Sequence, residues 1–198
     1  MSAETTKTFP AFKLDLFEDA NAFVKCWSDL YNYPDYGKYK SLVTKAIFSE
    51  GDVRSLFEWK NGMKLSIKKE QSFLSHVLEH EDIIHELKRQ FDQKKFDDTF
   101  EEMSAVWQIF LLHIITPSNC PIFDQHVYRA FMFIQHQDEK PLPFTQKSKL
   151  KIFHEEYCPF FLDMLELADE HDHFKIDKAL WTFGKIINEY PGLVKVRV

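Results

Sequence analysis

The run Val106-Trp107-Gln108-Ile109-Phe110-Leu111-Leu112-His113-Ile114-Ile115 constrains the fold of this chain more than any other stretch. It is apolar nearly all round a helical wheel, so the helix it forms has no solvent face and belongs at the centre of a fold. It is also far short of the roughly 20 apolar residues that a membrane-spanning helix needs. The rest of the chain must therefore wrap this helix. With only 5 glycines and as many as 20 phenylalanines, it is suited to do so with packed helices rather than with sheets and tight turns.

Apolar residues recur at helical spacing along most of the sequence. Phe17 to Tyr31 places Ala22, Phe23, Cys26, Trp27 and Leu30 on one side, and Pro34 with Gly37 ends that helix ahead of a second over Tyr39 to Phe48. Gly51-Asp52 reads as a stop and a cap opening Val53 to Lys60, which Asn61-Gly62 closes. Ser66 is placed to cap a helix carrying Phe73, Leu74, Val77 and Leu78, and Ile83 to Phe91 is a further amphipathic segment. Asp97-Asp98 precedes the central helix, expected over Phe100 to Ile115, and a short loop after Thr116-Pro117 leads to a helix opened by Asp124. Gln137 to Ser148, with Pro141 and Pro143, reads as an ordered loop or a hinge between two subdomains. Two more helices follow, Lys149 to Ala168 with an interruption at Pro159, and Ile176 to Glu189 ended by Pro191-Gly192. Strand-like alternation is confined to Leu193 to Val198, and there is no internal repeat. The expectation is an all-α protein forming one domain over residues 1–198, with residues 1–10 loose.

Charge narrows the choice of partners. A net charge of −6 and a pI near 5.8 weigh against strong non-specific nucleic-acid binding, although Lys60 to Lys69 or Lys147 to Lys151 could form a local basic patch. The three cysteines, Cys26, Cys120 and Cys158, are odd in number and have no paired spacing, as expected of reduced thiols. The first residues lack the apolar core of a signal peptide. The expectation is a soluble, cytoplasmic protein with no membrane partner; nothing in the sequence fixes its oligomeric state.

The chemistry-bearing stretch is Pro121-Ile122-Phe123-Asp124-Gln125-His126-Val127-Tyr128-Arg129-Ala130-Phe131. An aspartate at a helix start accepts N–H bonds from the first turn, and the helix dipole favours its charged form. Val127, Ala130, Phe131 and Ile134 form the inner face behind it. At the mouth of a cleft such a carboxylate can place a water or stabilise a developing cation; elsewhere it is an ordinary cap.

Asp124, His126, Val127, Tyr128, Arg129 and Ala130, taken in order, resemble the catalytic-aspartate segment of the helix-hairpin-helix DNA glycosylases, the superfamily of endonuclease III and the 8-oxoguanine glycosylases. Leu65-Ser66 is similar to the start of that family's substrate-side helix. Ala179-Leu180-Trp181-Thr182-Phe183-Gly184 resembles its closing helix, so the likeness spans Phe57 to Asn188. The resemblance implies a compact two-lobed helical domain, Asp124 as the catalytic carboxylate, and DNA as the partner, with weak electrostatic support from the net charge. It places His126, Tyr128 and Arg129 at the substrate, and Trp59, Trp107 and Trp181 are candidates to stack on an extruded base. His126 and Arg129 have ordinary alternatives as a backbone-bonded residue near a helix start and a salt-bridge residue.

Departures from the family pattern limit the chemistry. The family's glycine-rich hairpin corresponds to Phe100-Glu101-Glu102-Met103-Ser104, which has no glycine and two carboxylates that would repel a phosphate. Ala105, Val106 and Trp107 stand where bifunctional members carry a nucleophilic lysine, and there is no cysteine cluster for iron–sulfur. The implied activity is thus monofunctional hydrolysis of an N-glycosidic bond in base excision repair, without a cofactor. The alternative is an inactive relative that keeps the scaffold to bind a protein or ligand.

Two histidine clusters have metal-like spacing. His76-Val77-Leu78-Glu79-His80 matches the inverted zincin pattern, which makes a zinc hydrolase a third, weaker reading. Asp169-Glu170-His171-Asp172-His173 has a metal-like composition. Neither has a complete ligand set, so no bound metal is expected.

Overall fold

A computed structural model describes residues 19–137 and 140–190, and these form an all-α protein with no strand among them. The expectations for residues 1–10, for Pro191-Gly192 and for the alternation over Leu193 to Val198 fall outside the described residues. The helices are α1 (Ala20–Asp29), α2 (Tyr36–Val43), α3 (Glu50–Asn61), α4 (Ile67–His76), α5 (Glu81–Arg89), α6 (Gln93–Phe100), α7 (Ala105–Ile115), α8 (Gln125–His136), α9 (Gln146–Ile152), α10 (Cys158–Leu167) and α11 (His173–Glu189). No helix among the described residues is long and apolar enough to cross a membrane.

The apolar run becomes α7, in which only Val106 and Trp107 escape full burial. It begins later than the spacing suggests, because the chain turns at Glu101–Ser104 between α6 and α7. Ser104 adopts an extended backbone, and its side chain caps nothing. Instead Gln146, from α9, accepts the Ala105 N–H at 2.8 Å.

Other boundaries also differ from the sequence pattern: Asp97 and Asp98 lie inside α6, a helix the spacing does not suggest, and α9 and α11 begin at Gln146 and His173 rather than Lys149 and Ile176. Helix α3 starts at Glu50 rather than Val53 because Ser49 and Asp52 form a reciprocal capping box. The Ser49 hydroxyl accepts from the Asp52 amide at 3.2 Å, and the Asp52 carboxylate accepts from the Ser49 amide at 2.9 Å. Asp52 is thus the third helical residue and not the cap. Helix α2 runs over Tyr36–Val43, ending before Phe48. The long C-terminal segment is not cut at Pro159 but widens into a π turn over Phe153–Tyr157 just before it. Proline has no N–H to offer the carbonyl four residues back and its ring crowds that carbonyl, and a wider turn accommodates both.

Helix α11 packs along α8 and α1, and α10 and the π turn close the adjoining side. The α8–α11 approach is close: a Cβ added to Gly184 would lie 1.9 Å from the His126 carbonyl oxygen. Arg129 bridges the same pair, donating from Nη1 to the Gly184 carbonyl at 2.9 Å. This contact sets where the first turn of α8, and with it Asp124, stands relative to α11.

Candidate functional site

Asp124 is the N-cap of α8, with an extended backbone. Its Oδ1 accepts the His126 N–H at 2.8 Å and the Val127 N–H at 3.2 Å. Its Oδ2 accepts from Lys60 Nζ, on α3, at 3.0 Å. A carboxylate offers about four lone-pair positions, so three are taken and one on Oδ2 remains. Burial pushes the Asp124 carboxyl up, but Lys60, His126 and the backbone bonds outweigh it, and its pKa lies below the usual range. The group is a fixed negative charge, one-fifth exposed at 21%.

Around it lies a recess lined by Tyr31, Tyr33, Tyr39, Trp59, Asp177 and Trp181 among others. The rings meet edge to face: Tyr31 and Tyr33 each lie 5.3 Å from Trp181, and Tyr33 lies 5.1 Å from Trp59. Trp59 stacks flat on Tyr39 at 3.8 Å. The loop between α1 and α2 is tied to α3, since the Tyr33 hydroxyl donates to the Trp59 carbonyl at 2.9 Å and Trp59 Nε1 donates to the Pro34 carbonyl at 3.0 Å. The recess volume is about 40 Å³, room for two or three waters. The Tyr33, Tyr39 and Trp59 wall separates it from a larger hollow of about 220 Å³.

The floor is braced through α7. His113 is fully buried, and its Nδ1 donates to the Cys120 carbonyl at 2.6 Å, which leaves Nε2 to accept the Tyr39 hydroxyl. Burial lowers its pKa to about 3, so the ring is neutral, as this pattern requires. Tyr39→Phe strands a buried imidazole nitrogen and should cost about 1–3 kcal/mol in urea unfolding. A variant as stable as wild type would show that the brace contributes nothing.

Asp177 is the second carboxyl in the recess, 6% exposed on α11. Neither of its oxygens completes a hydrogen bond of good geometry among the described residues, although the Ile122 amide lies close enough to favour its charged form. Burial raises its pKa well above the ordinary aspartate value, and the Ile122 amide and Lys60 offset this only in part. Lys178 Nζ sits 4.0 Å from the Tyr36 ring at the rim.

The structure brings some of the sequence candidates together and disperses others. Asp124, Trp59 and Trp181 line the recess. His126 packs on Trp181 from behind at 5.3 Å. Arg129 faces the Gly184 carbonyl, joining helices rather than lining the recess. Trp107 lies instead against Phe57 at 5.1 Å, on the far side of α3. Tyr128 is buried, 4% exposed, against Phe123 and Phe131. Tyr128 faces the core from the inward side of α8, whereas Trp107, on the least buried side of α7, is half-buried and packs against the edge of the core.

The sequence marks Lys60 only as one end of a candidate basic patch, and it does not single out Asp177 or the tyrosines between α1 and α2. A signal for the tyrosines existed, since four of the chain's 7 lie within Tyr31-Asn32-Tyr33-Pro34-Asp35-Tyr36-Gly37-Lys38-Tyr39.

The metal-like clusters do not assemble. Helix α4 ends at His76, and Leu78–His80 is a 3-10 turn, which breaks the one-turn register the two imidazoles would need. Among the described residues no three His, Cys, Asp or Glu side chains are grouped to hold an ion. Cys26, Cys120 and Cys158 are free thiols.

The electrostatic surroundings are close to balanced. Lys38, Lys60, Lys64 and Lys178 line the recess and the neighbouring hollow with Asp35, Glu58 and Asp124, while burial favours the neutral form of Asp177. Comparison with protein-family models, with curated proteins and with solved structures finds no match.

Proposed function

We propose that this chain is a monofunctional N-glycosidase of the helix-hairpin-helix DNA glycosylase type, two-lobed in plan, which hydrolyses the bond to a damaged base in base excision repair. One observation carries the reading: the Asp124 carboxylate, fixed by two backbone N–H groups and Lys60, opens onto a recess walled by tyrosine and tryptophan rings. A fixed negative charge stabilises the oxocarbenium-like centre that forms as the glycosidic bond breaks, and its remaining lone pair can hold a water. Flat aromatic walls suit a flat base, stacking being worth about 1–3 kcal/mol per base. At about 40 Å³ the recess does not hold a base as it stands. Entry would require the partly exposed Tyr31, Tyr33 and Trp181 edge to move outward.

A second reading, a non-catalytic scaffold for a protein or small ligand, has its own support. The α7 N-terminus, where the family would seat a phosphate, is already capped by Gln146, and most of the lysine charge around the recess is offset by Asp35, Glu58 and Asp124.

Base-release assays on duplexes carrying alkylated, oxidised and deaminated bases separate the two. On the glycosidase reading wild type releases at least one base, and Asp124→Asn lowers the rate by about 100-fold or more through loss of the stabilising charge. With few phosphate contacts, the slope of log affinity against log salt should be shallow. No release from any lesion and no DNA binding at low salt would leave the scaffold reading.

A further inference from the structure

Helix α11 turns Phe174, Asp177, Lys178 and Trp181 toward the recess, the spacing of a helix face. On a packed helix the Asp177 position belongs to an apolar residue. A carboxyl there, 6% exposed and with no well-formed hydrogen bond among the described residues beyond the approach of the Ile122 amide, is a costly choice for packing alone. The Tyr36 hydroxyl in the same recess is also buried without a partner among the described residues. Polar groups left open inside an aromatic recess mark where a ligand supplies the missing bonds.

We infer, on the glycosidase reading above, that Asp177 is the general acid of this recess, passing its proton to the departing base while Asp124 faces the sugar. The two carboxyls are pushed in opposite directions by their surroundings. Burial favours the protonated form of Asp177, whereas Lys60 and the α8 amides favour the ionised form of Asp124. A site that needs one carboxyl as donor and one as charge is built by such a divergence.

The step balances with water as the only co-reactant. The Asp177 proton moves to a ring nitrogen or oxygen of the base. The bond between C1′ and the base nitrogen breaks, and its electron pair leaves with the base, which departs neutral. Water adds to C1′, its proton passes to the Asp124 carboxylate and on to solvent, and Asp177 regains a proton from solvent. The substrate class this predicts is a base that leaves poorly unless protonated.

The test compares two leaving groups in Asp177→Asn, an isosteric change that cannot donate an acidic proton. One duplex carries hypoxanthine, which needs protonation to depart well. The other carries N7-methylguanine, already cationic, which departs neutral without an acid. The expected result is a loss of about 100-fold on hypoxanthine, within the usual range for general acid catalysis, and less than about 3-fold on N7-methylguanine. Retained release of the methylated base also serves as the folding control. Equal losses on both duplexes, or no loss on either, would overturn the acid role while leaving the glycosidase reading intact. A wild-type protein inert on every lesion would overturn both.

Discussion

Gly184→Ala should be among the most damaging single substitutions in this protein, lowering stability by about 3 kcal/mol or more. The added methyl would meet the His126 carbonyl oxygen at 1.9 Å and its carbon at 2.7 Å, both backbone atoms that cannot rotate away. Relief requires α8 and α11 to separate. That would stretch the bond from Arg129 to the Gly184 carbonyl and shift the first turn of α8, where the Asp124 N-cap is held. For a chain of 198 residues the midpoint of thermal unfolding should fall by roughly 6–12 °C, at about 2–4 °C per kcal/mol. Gly51→Ala is the control. Its new methyl would find only the Ser49 hydroxyl at 3.9 Å, and alanine is the better helix former by about 1 kcal/mol, so this variant should be neutral or slightly stabilised. Equal melting of the two variants would contradict the close approach of α8 to α11.

What the sequence discloses and what it conceals follow from the range of the interactions concerned. The all-round apolar character of Val106 to Ile115 and the cap at Asp124 are local properties, and both reappear in the structure. The start of α3 is also local, but the sequence pattern points to Asp52 as the cap, and the reciprocal bonding of Ser49 with Asp52 moves the start back to Glu50. The break before α7 depends on Gln146, 41 residues later in the chain, which no window of sequence could reveal. The candidate site divides in the same way. Asp124, Trp59 and Trp181 carry visible signals, whereas Lys60 reaches Asp124 across 64 residues and Asp177, next to Lys178, reads as an ordinary charged position on a helix surface. Trp107 and Tyr128 misled because an aromatic ring at helical spacing is compatible with a ligand wall and with a core, and here Tyr128 lies in the core while Trp107 packs against its edge.

The Lys60–Asp124 pair changes one expectation materially. Read from sequence alone, Asp124→Asn conserves a capping acceptor and should leave stability nearly unchanged. The structure places Lys60 Nζ at 3.0 Å with only 9% of its side chain exposed, so removing either charge leaves the other unpaired. Lys60→Met should therefore cost about 2–3 kcal/mol at pH 7, less than the 3–5 typical of fully buried pairs because Asp124 keeps some contact with water. The pH dependence has a definite sign. In wild type the folded-state pKa of Asp124 is depressed, so its stabilising contribution is present above the unfolded carboxylate value and is lost as pH falls through the folded value. Without Lys60, burial is opposed only by the α8 amides and His126. The folded-state value then rises, and the penalty shrinks as acid protonates the carboxyl. The gap between wild type and Lys60→Met in urea unfolding should accordingly be widest near neutrality and narrow below about pH 4, the ordinary range for an aspartate. Lys60→Met combined with Asp124→Asn should recover much of the loss, because no unpaired charge remains inside. A gap that stays constant with pH, or a double variant no more stable than Lys60→Met alone, would show that Lys60 acts through its packed methylenes and not through its charge.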